Sequence, residues 1–148
     1  MRLREKATDA LHVVSIPITE AIDQMFDQWI AHWDRHGFGF WSIRALEANA
    51  ILGFGGVMYH PSTAERDDLV LYYRFRPEHW GLGYATEVAQ EAIDVAFRLV
   101  KAPRVVTKIR AANHASIRVA EKVGLTRVQI FEDGGAPSIR FRLENPAL

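Results

Sequence analysis

The chain has 148 residues, 49% apolar and 24% charged, which fits one soluble globular unit with one core rather than a disordered segment. Eighteen basic residues balance eighteen acidic ones and the pI is about 7.0, so no net field steers the protein toward nucleic acid or an anionic membrane. With no cysteine, disulfides, thiolate metal sites and a cysteine nucleophile are excluded.

The first residues, Met1-Arg2-Leu3-Arg4-Glu5-Lys6, are charged and lead into no signal-type apolar run. No apolar stretch approaches the roughly 18 residues of a membrane helix. The expected location is the cytoplasm.

In chain order, Met1 to Ile18 carries little pattern; Leu11 to Ile16 reads as a short strand interrupted by Pro17. A helix is predicted from Glu20 to His36. Ala21, Ile22, Met25, Phe26, Trp29, Ile30 and Trp33 form its apolar stripe, Thr19 its N-cap and Gly37 its C′ residue. Phe38–Ile43 and Ile51–Met58 read as a hairpin around Glu47-Ala48-Asn49, with Gly53, Gly55 and Gly56 marking a bulge or a close backbone approach. Tyr59 to Asp68 reads as a polar loop, and Leu69–Phe75 as a strand ended by Pro77. A helix starts near Gly83 and runs to Val100, its buried stripe being Ala85, Val88, Ala89, Ala92, Ile93, Ala96, Leu99 and Val100. Val105–Arg110 is a strand and Asn113–Val123 a short helix closed by Gly124. The last strands, Leu125–Phe131 and Ser138–Leu143, are joined by Glu132-Asp133-Gly134-Gly135. This order predicts a mixed α/β sheet with helices on its faces.

The chemistry concentrates between Leu69–Phe75 and the long helix, at Trp80-Gly81-Leu82-Gly83-Tyr84-Ala85-Thr86-Glu87. A strand that enters a glycine-rich turn at a helix N-terminus presents unpaired amides and the positive end of the helix dipole, which suits a phosphate or pyrophosphate. A Walker loop would need a lysine followed by Ser or Thr, absent here. A dinucleotide fingerprint would need a third glycine or alanine where Thr86 stands, inside a first βαβ unit. A coenzyme A loop is the reading that stays.

Trp80 to Glu87 resembles the coenzyme A loop of the GNAT acyltransferase superfamily, in the branch that includes ribosomal-protein N-terminal acetyltransferases. Both loop glycines match, Gly81 and Gly83; Glu78 stands where the family has Arg or Gln. Asn113, Ser116, Arg118, Lys122 and Gly124 match the branch's second motif. The resemblance runs from about Pro17 to Leu143 and implies one N-acetyltransferase domain over 1–148, with a shortened N-terminal part. It implies a sheet splayed near Phe75 and Pro77, acetyl-CoA as co-substrate, and direct attack by an amine on the thioester. Phe75, Trp80, Gly81, Leu82, Gly83, Tyr84 and Ala85 would hold the cofactor, with Asn113 and Ser116 at its pantetheine arm. A backbone N–H near Phe75 would polarise the thioester carbonyl.

Two further family positions depart, both of them proton-handling ones. Ala120 stands where many members place a tyrosine acid, and Val70 where the branch often has a glutamate. Ser116 is therefore the candidate catalytic residue, one turn from Asn113, ahead of Tyr72, Tyr73, His60, His79 and Glu132. A plainer reading gives Asn113 as a helix N-cap, Ser116 as a first-turn residue and Glu87 as a dipole partner. His32 and His36, at i and i+4, lack a third ligand, so no metal site is expected. Trp29, Trp33, Trp41 and Phe38 read as core, and a homodimer stays open. Arg104, Lys108, Arg110, Arg118 and Lys122 read as a solvated face, with some within reach of the cofactor's adenosine end. The expected partners are acetyl-CoA and a primary amine, from a protein N-terminus or a small molecule, with no nucleic acid or membrane. The rival reading is a CoA-binding module without catalysis.

Overall fold

The computed structural model describes residues 2–6, 20–45, 50–60 and 67–148, and at 2–6 and 20–22 only the backbone. The predicted strand at 11–16, the Thr19 cap, the turn at 47–49 and most of the loop at 59–68 lie outside the described residues. The elements are β1 (Arg2–Lys6), α1 (Glu20–His36), β2 (Phe40–Arg44), β3 (Ile51–Tyr59), β4 (Leu69–Phe75), a 3-10 turn (Pro77–His79), α2 (Tyr84–Asp94), β5 (Arg104–Arg110), α3 (His114–Lys122), β6 (Thr126–Asp133) and β7 (Ala136–Glu144). They build a seven-stranded mixed sheet in the order β1-β2-β3-β4-β5-β7-β6. β1 falls in the shortened N-terminal part, where the sequence carried little pattern. It is charged and without alternation, and its place is set by pairing with β2 rather than by local pattern.

α1 keeps its predicted bounds. Gly37 ends it with φ +75° and an N–H bonded to the Trp33 carbonyl at 2.9 Å. Phe26 and Trp29 pack with Phe40, Phe54 and Tyr72 on one face of the sheet. The other face buries Val57, Leu69, Leu71, Val105, Ile109 and Phe141 with residues of α2 and α3. Trp41 and Trp29 are buried as expected, while Trp33 and Phe38 pack half-buried at the core's margin.

The glycines of β3 permit close approach. A Cβ on Gly53 would lie 2.2 Å from the Arg74 carbonyl, and one on Gly55 would lie 2.6 Å from Val88 of α2. α2 can therefore sit directly on the sheet.

The helix after the loop is not uniform to Val100. From Val95 to Leu99 it becomes a π-turn, with the Val100 N–H bonded to the Val95 carbonyl at 3.0 Å. The wider turn changes the phase of the stripe. Val95 is buried with Ala96, whereas Leu99, expected in the core, is 69% exposed.

Candidate functional site

β4 and β5 are the only parallel neighbours among the described strands, and their register holds for two rungs, Leu69↔Val105 and Val70↔Val106. The closed end is pinned by an ion pair between Asp68 and Arg104 at 2.7 Å, with Asp68 4% exposed. Arg104 is therefore not part of a solvated face. Its partner precedes β4 and becomes its neighbour only through the parallel pairing. At the next rung the ladder gives way to a side chain. The Thr107 hydroxyl donates to the Leu71 carbonyl at 2.9 Å in a buried bond. That bond satisfies the carbonyl as the strands part, and buried carbonyls need such a partner.

Beyond Leu71 the strands diverge. Backbone polar groups alternate between the two edges of a strand. Leu71 faces β5, so by this alternation the same edge carries the N–H groups of Tyr73 and Phe75, and the Phe75 carbonyl there accepts the Trp80 indole N–H. β3 takes the other edge, where the Arg76 N–H reaches the Leu52 carbonyl at 3.3 Å. The sequence implied a splay near Phe75 and Pro77; the fork opens earlier, after Val70.

The glycine loop sits at the mouth of this fork. Gly81 and Gly83 have φ +76° and +84°, conformations that favour glycine, and a Cβ on either would meet nothing within 4 Å. Gly83 is the N-cap of α2 and provides no side-chain cap, so the first-turn amides from Gly83 to Thr86 face outward. The first intrahelical bond runs from the Glu87 N–H to the Gly83 carbonyl at 3.0 Å. Trp80 and Leu82 are 65% and 62% exposed. Trp80 is still anchored, its indole N–H donating to the Phe75 carbonyl at 2.8 Å. Tyr84 stacks on Phe75 at 6.0 Å, and His79 meets Tyr84 edge-on at 6.4 Å. Ala85 packs half-buried against the core, and Glu87 is exposed in the first turn.

α3 stands on the other limb, following β5 and packed against α2. Asn113 caps it, its side-chain oxygen accepting the Ser116 N–H at 3.2 Å. The Ser116 carbonyl accepts the Tyr73 hydroxyl at 2.8 Å, so β4 and α3 are tied across the fork. Burial pushes the Tyr73 phenol's pKa up and keeps it neutral. Ala120, one turn after Ser116, is fully buried. Tyr73 was a candidate by residue type; its partner on α3 was not foreseen. Thr107 was missed altogether. The available signal was a polar residue in phase with the buried Val105 and Ile109.

The other candidates are placed apart from this cluster. Tyr72 stacks on Phe40 at 5.1 Å on the α1 face, His60 is exposed after β3, and Glu132 is exposed near the end of β6. Lys108 pairs with Asp133 at 2.7 Å and Arg110 donates to the Asp133 carbonyl at 2.6 Å; Arg118 and Lys122 are exposed on α3. His32 uses both ring nitrogens, Nδ1–H donating to the Phe38 carbonyl at 2.8 Å and Nε2 accepting the Tyr59 N–H at 3.0 Å. Among the described residues no group of three acidic, His or Cys side chains could hold a metal. Nor is any helix among them long and apolar enough to cross a membrane.

A mixed sheet with one splayed parallel pair, a glycine loop at the mouth and helices on both faces defines an acyltransferase fold. The comparisons agree. The acetyltransferase (GNAT) domain model matches residues 5–126, and the chain belongs to the GNAT acetyltransferase family. It is similar to the uncharacterized protein YkkB of Bacillus subtilis, 31% identical over 104 residues, covering 66% of this chain and 59% of the relative. It is also similar to the FsC-acetyl coenzyme A-N(2)-transacetylase of Aspergillus fumigatus, 26% identical over 106 residues, covering 72% and 41%. The chain thus spans about half the length of these curated relatives. Among solved structures, the ribosomal-protein-S5-alanine acetyltransferase of Vibrio fischeri superposes with a TM-score of 0.78 at 15% identity, covering 97% of this chain and 92% of the other. An acetyltransferase of Agrobacterium tumefaciens gives 0.73 at 24%, covering 94% and 80%. At these identities the superpositions speak for the fold.

Proposed function

We propose that the chain transfers an acetyl group from acetyl-CoA to a primary amine, on a protein N-terminus or a small molecule, as one N-acetyltransferase domain of the cytoplasm. The observation that carries the reading is the fork: a strand edge open beyond Leu71 that leads, past the Trp80 indole on the Phe75 carbonyl, to a loop of outward amides where neither glycine brings a side chain. The donor set suits the cofactor. Gly81 to Ala85 would hold the pyrophosphate through backbone amides, with Trp80 and Leu82 flanking it. The free edge of β4 would pair with the pantetheine arm, and Asn113 and Ser116 would border it on α3.

Acetyl-CoA brings the activated acyl group, and the protein's share is placement and charge. A fork held open in advance brings amine and carbonyl together without a later ordering cost. The Phe75 N–H, on the edge facing the gap, is the donor for the developing oxyanion. Ser116 is the candidate relay for the proton that the amine loses and the departing thiolate gains. Tyr73 is neutral and already bonded to α3, so it holds that side of the site.

The test is acetyl-CoA with a panel of peptides and small amines, read as release of free thiol. Amine-dependent release supports the proposal. A second reading, a CoA-binding module that does not catalyse, draws on Ala120 and Val70, which leave two family proton-handling positions without a titratable group. Saturable CoA binding with no thiol release under any acceptor would favour it.

A further inference from the structure

On the open limb of the fork the Tyr73 side chain leaves β4 and ends on the opposite limb. Tyr73 lies two residues past Leu71, the last β4 residue bonded to β5. Leu71, Tyr73 and Phe75 alternate onto the face that α2 and α3 cover, and Tyr73 packs there against the buried cluster that includes Ile117 and Ala120. Its hydroxyl donates to the Ser116 carbonyl at 2.8 Å, 43 residues away in sequence. Ser116 is held through both of its backbone polar groups. Asn113 accepts its N–H and its carbonyl accepts the Tyr73 hydroxyl, so the first turn of α3 is fixed to its own cap and to β4.

We infer that Tyr73 is a positioning residue for the acyl-CoA site, a strut that sets the width of the fork between the free edge of β4 and the Asn113–Ser116 turn. The inference rests on the acetyltransferase reading, since the fork is the proposed cofactor gap. The strut acts where the backbone no longer can. Thr107 closes the apex, the ladder stops there, and from that point to the loop Tyr73 joins the limbs. The phenol is suited to the task. Its ring is packed, its O–H is a single donor aimed at one carbonyl, and burial keeps the proton on it.

Tyr73→Phe keeps the ring and removes the bond. The readout is the Kd for coenzyme A by calorimetry, which needs no acceptor, at a temperature where circular dichroism shows the variant folded. One neutral hydrogen bond lost from a preset site predicts a rise of about fivefold in Kd. With an amine that the wild type acetylates, KM for acetyl-CoA should rise by a similar factor while kcat stays within about twofold. An unchanged Kd in the folded variant would overturn the strut and leave Tyr73 as packing, even if the melting temperature fell. A large fall in kcat at constant KM would also overturn it, because Tyr73 would then act on the reacting atoms. Wild-type protein that fails to bind coenzyme A would instead remove the acetyltransferase reading, a separate result. Should Tyr73→Phe not fold, NMR of the wild type carries the test. The Tyr73 hydroxyl proton should exchange slowly and the labelled Ser116 carbonyl should shift as coenzyme A is added. A hydroxyl exchanging at the solvent rate would overturn the inference.

Discussion

The two ends of the β4–β5 pair are built from opposite materials. At the closed end, Leu69 and Val105 are fully buried rung partners, and Asp68 and Arg104 form an ion pair beside them. At the open end the backbone is released, the loop residues are exposed, and the Tyr73 hydroxyl bonds β4 to α3. Hydrophobic burial and a desolvated charge pair at one end make the fork rigid enough for the other end to leave amides unpaired. Stability and ligand binding are thus separated along a single pair of strands. Damage to the closed end should unfold the protein, and damage to the open end should empty the site of a folded one.

The largest stability effect is expected at the closed end. Asp68→Ala removes the carboxylate from a partly buried Arg104 and should cost about 2–3 kcal/mol by urea denaturation, below the figure for a fully buried pair because Arg104 keeps some contact with solvent; a loss below about 1 kcal/mol would show that the pair does not hold the strands. At the open end, Gly83→Asp places a carboxylate where a phosphate is proposed and should abolish coenzyme A binding in calorimetry. The positive φ of Gly83 adds only about 1 kcal/mol of strain for an Asp there. Unchanged affinity in the folded variant would contradict the loop assignment.

Thr107→Val lies between the two ends and tests whether they are separate. It leaves the buried Leu71 carbonyl without its partner, at a cost of about 1–3 kcal/mol. It should also weaken coenzyme A binding, since the apex is where the fork opens. Loss of stability with untouched affinity would confine Thr107 to the closed end.

The smallest effect concerns pH. Burial, aided by His36, holds the His32 pKa below its ordinary 6.5, although the Phe38 carbonyl pulls it back up. The unfolded chain therefore takes up the proton first. The stabilisation from neutral His32 is complete above pH 6.5 and is lost as pH falls below it. A protonated ring would also point a donor at the Tyr59 N–H. Urea midpoints should fall from pH 7.5 to pH 5, and His32→Gln should flatten that dependence. An equal pH dependence in both proteins would assign it to other groups.

Much of this was legible locally. α1 and β4 keep their predicted bounds because each is long, periodic and ended by a residue with one conformational use, Gly37 in one case and Pro77 in the other. The loop could be read because two glycines, their flanks and the helix that follows are contiguous in sequence. β1 could not, because its partner β2 lies beyond an entire helix. The exposure of Leu99 could not either, because a π-turn breaks the period on which the buried stripe was counted.

The amino-acid sequence by itself determined the family, the order of most elements and the position of the glycine loop, since each is encoded in neighbouring residues and their spacing. Only the tertiary structure decided where the fork opens, that Thr107 closes its apex, that Arg104 is paired with Asp68, and that Tyr73 reaches Ser116. Those bonds join residues tens of positions apart. The choice of partner follows from parallel strand pairing and from what two packed faces bring within 3 Å, quantities that no local pattern contains.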